Sequence, residues 1–290
     1  MKGIRKLGTV QVHLVEVSPF VYRGKLLILE SVRPRTPDNT HDGRHYLRIR
    51  ELHDSTRDVR SSEEFAAGRI LTEFGDGFTF GVPFVGDAQI FVYASHAVKE
   101  AESDDIHVFR SADRKTWDQR VAIPGAHERL YNSSVCRAEE RFVMAYETND
   151  RAYPAFTVKF AESHDLIHWT KLPVDRAIYG TDRYTACPSI RYVDGWFYMF
   201  YLERPTQEWR FETYLTRSRD LLHWEQSPVN PILAPTPDED INNSDIDFTE
   251  FNGRMVIYYA WGNQRGEERL AHATFDGGLQ DWLRACFPGL

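Results

Sequence analysis

The chain has 290 residues, with 35 Lys and Arg against 43 Asp and Glu and a formal net charge of −8. That balance excludes a protein that wraps a phosphate backbone, which needs clustered cations to displace counterions. No run approaches the 18 or more apolar residues of a membrane helix. Neither nucleic acid nor a membrane is therefore an expected partner. Length alone fits two domains or one large all-β or α/β domain.

The first twenty residues are basic but lack an uninterrupted apolar stretch and a small-residue cleavage site, so no signal peptide is expected there. Residues 4–12 read as a strand. Five hairpins follow in order, each a short polar start and an apolar pair, a turn, then a β-prone run: 17–21 with 26–29, 81–85 with 90–93, 131–135 with 142–146, 186–190 with 196–201 and 242–246 with 255–259. Turn chemistry stands at Arg23-Gly24, Gly86-Asp87, Asp194-Gly195 and Asn252-Gly253. Third strands are predicted at 45–52, 105–111, 156–162, 211–217 and 270–275. An aromatic share of 13% agrees with strands, and no segment of helical period competes.

After three of the third strands comes Ser-x-Asp-x-x-x-Trp, as Ser111/Asp113/Trp117, Ser163/Asp165/Trp169 and Ser218/Asp220/Trp224. The tryptophans stand 52 and 55 residues apart, and a looser echo ends at Trp282. Side chains of Ser and Asp at this spacing bond nearby backbone amides, and the Trp is expected to fill space between units. A residue repeated in every unit serves the unit rather than a single site.

Five repeats of about 58 residues predict an all-β, five-bladed β-propeller with four-stranded antiparallel blades, one domain spanning 1–290, in which residues 4–12 close the ring as the outer strand of the last blade. Cys136, Cys187 and Cys286 form an odd, scattered set that suits reduced thiols in a cytoplasmic protein better than disulfides or metal ligands.

In such a ring the innermost strands begin and the second strands end on one face. The second strands end at Glu30, His96, Glu147, Glu203 and Trp261, read as equivalent rim positions, and the innermost strands add Asn132, Arg183, Asn242, Asn243 and Asp245. Carboxylates converging there suit glycosidic bond cleavage, in which one protonates the leaving oxygen and another activates water or attacks the sugar carbon. Tyr131, Tyr184 and Trp261 could stack on a sugar. Arg129 and Arg183 suit either substrate binding or ion pairs between blades. The insertion at 32–44 is expected to hang over this face as a lid, and His41, Asp42 and His45 are too loosely spaced for a metal site.

The phrases Glu162-Ser-His-Asp-Leu-Ile-His-Trp169 and Arg217-Ser-Arg-Asp-Leu-Leu-His-Trp224, with the Asn252-Gly253 turn before an aromatic strand, resemble the five-bladed propeller glycosidases, the superfamily of glycoside hydrolase families 43, 32, 62, 68, 117 and 130. The resemblance implies a hydrolase acting on a small carbohydrate, with no cofactor required beyond room for a divalent ion in the channel. By hand alignment its three carboxylate slots fall on Ser18, Asn132 and Ala186, none of them acidic. Relocated acids are the preferred account, with Glu147, Glu203 and Asp245 as the catalytic set and Glu30, His96, Asn132, Arg183 and Trp261 binding substrate. A non-catalytic carbohydrate-binding propeller is the alternative, and a protein-interaction scaffold a third class. The acidic rim argues against a phosphorylase.

Overall fold

The structure, a computed structural model, describes residues 3–12, 14–33, 43–52, 64–65, 67–97, 105–153, 156–205 and 209–288. Its strands form five antiparallel sheets in chain order. The first blade is β2 (Val17–Tyr22), β3 (Lys25–Val32), β4 (Tyr46–Glu51) and β5 (Arg69–Phe74). The second is β6 (Phe78–Gly86), β7 (Gln89–His96), β8 (Ile106–Ser111) and β9 (Asp118–Ile123). The third is β10 (Leu130–Ala138), β11 (Arg141–Thr148), β12 (Thr157–Ser163) and β13 (Thr170–Lys171), with β14 (Ile178–Tyr179) also on β12. The fourth is β15 (Thr185–Val193), β16 (Trp196–Glu203), β17 (Glu212–Ser218) and β18 (Trp224–Gln226). The fifth is β19 (Asn242–Phe251), β20 (Arg254–Gly262) and β21 (Glu268–Phe275), completed by β1 (Arg5–Val12) from the other end of the chain. The five-bladed propeller is thus as expected. β1 covers the edge of β21 and gives the fifth blade its fourth strand.

Each strand alternates its side chains between the two neighbouring blades, so the core is a set of inter-blade layers. Val143, Ala145 and Phe160 of the third blade meet Ile190, Met199 and Tyr201 of the fourth, and Phe200 and Leu215 of the fourth meet Phe248 and Ile257 of the fifth. The repeated motif works as a turn and a wedge. Ser111, Ser163 and Ser218 accept the backbone N–H three residues on, and Asp113, Asp165 and Asp220 accept two further N–H groups. The residue after each Asp is left-handed, with φ of 63°, 66° and 67° at Arg114, Leu166 and Leu221. The Trp then lies on an aromatic ring of the preceding blade: Trp117 stacks on Phe74 at 3.7 Å, Trp169 meets Tyr93 edge-on at 5.5 Å and Trp224 stacks on Phe160 at 5.6 Å.

Trp282 does the same job by another route. Contrary to the expectation of a helix-free chain, it sits on a helix, α1 (Leu279–Cys286), and packs against Phe200, Phe248 and Phe275. With β1 taking the outer-strand position of the last blade, the chain after β21 is free to coil, and helical spacing buries Trp282, Leu283 and Cys286 together.

The turn has a measurable worth. Asp220→Ala removes the acceptor for the Leu222 and His223 N–H groups. About 1–2 kcal/mol should be lost in urea denaturation, as for a helix N-cap, with any catalytic activity unchanged.

Candidate active site

The hairpin pairs Tyr22–Lys25, Gly86–Gln89, Ala138–Arg141, Val193–Trp196 and Phe251–Arg254 give a common origin for comparing blades. Counted back from them along the innermost strands, Glu16, Phe80, Asn132, Cys187 and Asp245 are equivalent. These five and the two residues after each line a narrow cavity on the ring axis. In the second to fifth blades a β-bulge interrupts the ladder here, and Phe80, Cys187 and Asp245 have φ of 56°, 49° and 52°. Such bulges re-aim side chains at the cost of local strain, and strain in non-glycine residues gathers at functional sites.

The cavity measures about 30 Å³, room for a water or two and no sugar ring. Arg191, which lines the wider cavity beyond, braces two residues of this one: Nη2 donates to Asp247 at 2.7 Å and to Phe248 O at 2.9 Å, while Nη1 donates to Ser189 at 3.2 Å and to its neighbour Ile190 O at 2.8 Å. Beyond it a wider cavity of about 530 Å³ opens toward the other face. Glu16, Asn132, Cys187 and Asp245 line the narrow cavity and not the wide one.

Glu147 belongs to this ring from the second strand. Val143 and Ala145 lie in the layer shared with the fourth blade, so Glu147, two residues on, faces that blade too. Its Oε2 accepts Asn132 Nδ2 and the Cys187 backbone N–H, both at 3.0 Å. Burial, assisted by the negative charge of Asp245, outweighs those two bonds and pushes the carboxyl up to about 7. Asp245 is itself raised by burial, against a hydrogen bond from Ser244 and one from the Cys187 thiol. Burial beside two acids holds Cys187 well above its ordinary value, as a neutral thiol. Glu16 is paired with Arg33, whose guanidinium also lies 5.1 Å from the Phe80 ring.

Asn132, Glu147 and Asp245 are therefore brought together, joined by Glu16 and Cys187. The other candidates are placed elsewhere, because the strand ends read as equivalent are not. Counted forward from the hairpins, the residues in register with Glu147 are Ser31, Ser95, Leu202 and Ala260. Glu30 falls one residue short of that register, and His96, Glu203 and Trp261 one beyond.

The consequences differ for each. Glu30 is fully buried between Arg48 and Arg50, which donate to it at 2.6 and 2.5 Å. Glu203 looks back toward the third blade, where it accepts the Tyr201 hydroxyl at 2.6 Å and pairs with Arg183 at 3.3 Å. Arg183 also bonds Asp182 and Tyr179, so it ties the two blades. His96 lies against Phe78 and His107 at 4.2 and 5.0 Å. Trp261 donates to Thr9 of β1 at 3.0 Å beneath Arg269. Asn242 and Asn243 are buried in β19, where Asn243 bonds Lys6. Among the described residues no cluster of metal ligands occurs. His41, Asp42 and most of the 32–44 insertion lie outside the described residues.

Two of the aligned carboxylate slots are displaced. Ser18 shares its register with Ser134, Ser189 and Asp247, one layer below the ring, and the first-blade slot equivalent to Asn132 is held by Glu16. In the fourth blade the slot is Cys187, not Ala186. The signal that finds Glu16 is the count from the turn, not from the proline.

No family model matches the chain, and no curated protein matches it. Solved structures do. A protein solved as an RGII complex has a TM-score of 0.68 at 16% identity, over 93% of this chain and 92% of that one. A thermostable family-43 glycoside hydrolase has a TM-score of 0.67 at 10% identity, over 90% and 89%. The chain has the five-bladed propeller fold of the glycoside hydrolases. A protein of unknown function from Dyadobacter fermentans is similar as well, with a TM-score of 0.67 at 12% identity over 96% and 100%. At these identities the likeness is one of fold, and activity must be argued from the residues.

Proposed function

We propose that this protein is a glycoside hydrolase in which Glu147 is the general acid and Asp245 the carboxylate that activates water. One observation carries the reading: a buried glutamate held near pH 7 by its surroundings, beside a second carboxylate, at the mouth of a ring that many glycosidases share. Burial first, and the negative charge of Asp245 after it, keep the proton on Glu147. Glu147 then has a proton to give to a leaving oxygen. Asp245 lies on the fifth blade with the whole fourth blade between them, so the two act from different sides of a bound sugar. Glu16 supplies further negative charge where an oxocarbenium-like centre develops. The neutral Cys187 thiol and Asn132 orient the two acids.

Activity should fall as pH rises, because the acid must be protonated to act. With aryl glycosides as substrates, kcat/KM is expected to decline through a limb near pH 7. A flat profile from pH 6 to pH 9 sinks the assignment. The second reading, a carbohydrate-binding propeller without catalysis, draws on the uncharged Phe80, Asn132 and Cys187 in three of the five ring slots. It predicts heat on sugar titration and no product after prolonged incubation.

A further inference from the structure

We propose that the rim between the fourth and fifth blades is a subsite for an anionic sugar residue, built from Trp209, Arg204 and Arg265. The inference rests on the carbohydrate reading above and names the charge of its substrate. The blade tryptophans are committed to inter-blade packing, whereas Trp209 stands outside the repeat and is 46% exposed. It is nonetheless fixed to the site. Its ring meets Phe211 edge-on at 5.0 Å, and the buried Phe211 packs with Ala186, Tyr184 and Cys187 of the ring wall. Arg204 directly follows β16, the second strand of the fourth blade, and so stands at the same strand end as Glu147 near the end of β11.

Arg204 follows β16, and Arg265 lies in the loop between β20 and β21, so the two arrive from adjacent blades. Their guanidinium carbons lie 5.9 and 6.0 Å from the Trp209 ring centre, the outer limit of a cation–π contact. Neither forms an ion pair among the described residues, and both are exposed. An indole face takes the apolar C–H face of a sugar ring, and planar guanidinium forks match a carboxylate or sulfate with paired hydrogen bonds. In a chain of net charge −8, two exposed arginines arriving from adjacent blades concentrate positive charge at this part of the rim.

The test is calorimetry at low salt with galacturonic and glucuronic acid disaccharides, their neutral methyl esters and galactose 6-sulfate. An acid, or the sulfate if the site prefers that anion, should bind at least tenfold more tightly than the esters, with the gap closing as salt is added. Arg204→Gln and Arg265→Gln should each erase about tenfold of the anion's affinity and leave the esters unchanged, while Trp209→Ala weakens both. Equal binding of acid and ester, no binding of any probe, or anion binding indifferent to both arginine variants overturns the subsite. Hydrolysis of neutral aryl glycosides and of the uronic acid disaccharides by the same preparation tests the other reading separately: hydrolysis without anion selectivity sinks the subsite alone, and selective binding without hydrolysis of either class sinks the hydrolase alone.

Discussion

Glu147→Gln is expected to lose between about a hundredfold and ten-thousandfold in turnover while becoming the more stable protein in alkaline solution. The amide keeps the two contacts that hold the side chain, because its oxygen can accept from Asn132 Nδ2 and the Cys187 N–H as Oε2 does now. It cannot give up a proton to a leaving group. The stability change follows from the direction of the shift. The carboxyl is raised from 4.5 to about 7, so the folded protein holds a proton that the unfolded chain releases. Its stabilising contribution is complete below pH 4.5 and is lost as pH rises toward 7, a change of about 3 kcal/mol for a group this buried. Glutamine carries no such dependence. Denaturant titrations of the two proteins at pH 5 and pH 8 should therefore diverge by about 3 kcal/mol in favour of the variant at the higher pH. Parallel pH dependence would mean that Glu147 is not the buried, protonated acid. Unchanged turnover would remove it from the chemistry.

How far the sequence disclosed all this depends on what each residue serves. The Ser-x-Asp-x-x-x-Trp phrase recurs because every blade needs the same turn and the same wedge, and its period was enough to count the blades. The ring residues have no such repetition. Glu16, Phe80, Asn132, Cys187 and Asp245 share a position and nothing in chemistry, so only register reveals them. Register was obscured in two ways. The bulges place two inner-strand residues opposite one in four of the five blades, which shifts any count along the inner strands, and the second strands end at different heights, which made Glu30, Glu147, Glu203, His96 and Trp261 look alike. Prolines were a false anchor, since Pro19 and Pro83 share one register while Pro188 lies two residues earlier. Proline lacks an N–H and is tolerated wherever an inner strand leaves that donor unpaired toward the axis, so it marks no unique height. The helix bearing Trp282 was hidden for a different reason: eight residues give too few turns to separate helical from strand spacing.

Glu30→Gln should destabilise the fold by about 3–5 kcal/mol, the largest stability loss expected from a single change of charge in this chain. Glu30 is completely buried, and Arg48 and Arg50 beside it are 8% and 7% exposed. One carboxylate already serves two guanidiniums, each with its Nε on a different oxygen, and Arg50 spends a further donor on Gly68 O at 2.9 Å. Glutamine removes the fully buried carboxylate that both guanidiniums share, and the half-exposed Glu73, 3.9 Å from Arg48, is too distant and too solvated to offset their desolvation in its place. The same argument says how to repair the damage. Removing the cations as well, in Glu30→Gln with Arg48→Met and Arg50→Met, replaces a buried ion cluster with apolar stems of similar length, and much of the loss should return. That combined variant also settles what Glu30 does. If it is a structural clamp of the first blade, the repaired protein keeps its turnover on whatever glycoside the parent cleaves. If turnover disappears while thermal stability is restored, Glu30 belongs with Glu147 and Asp245, and the placement of the acids around the ring must be redrawn.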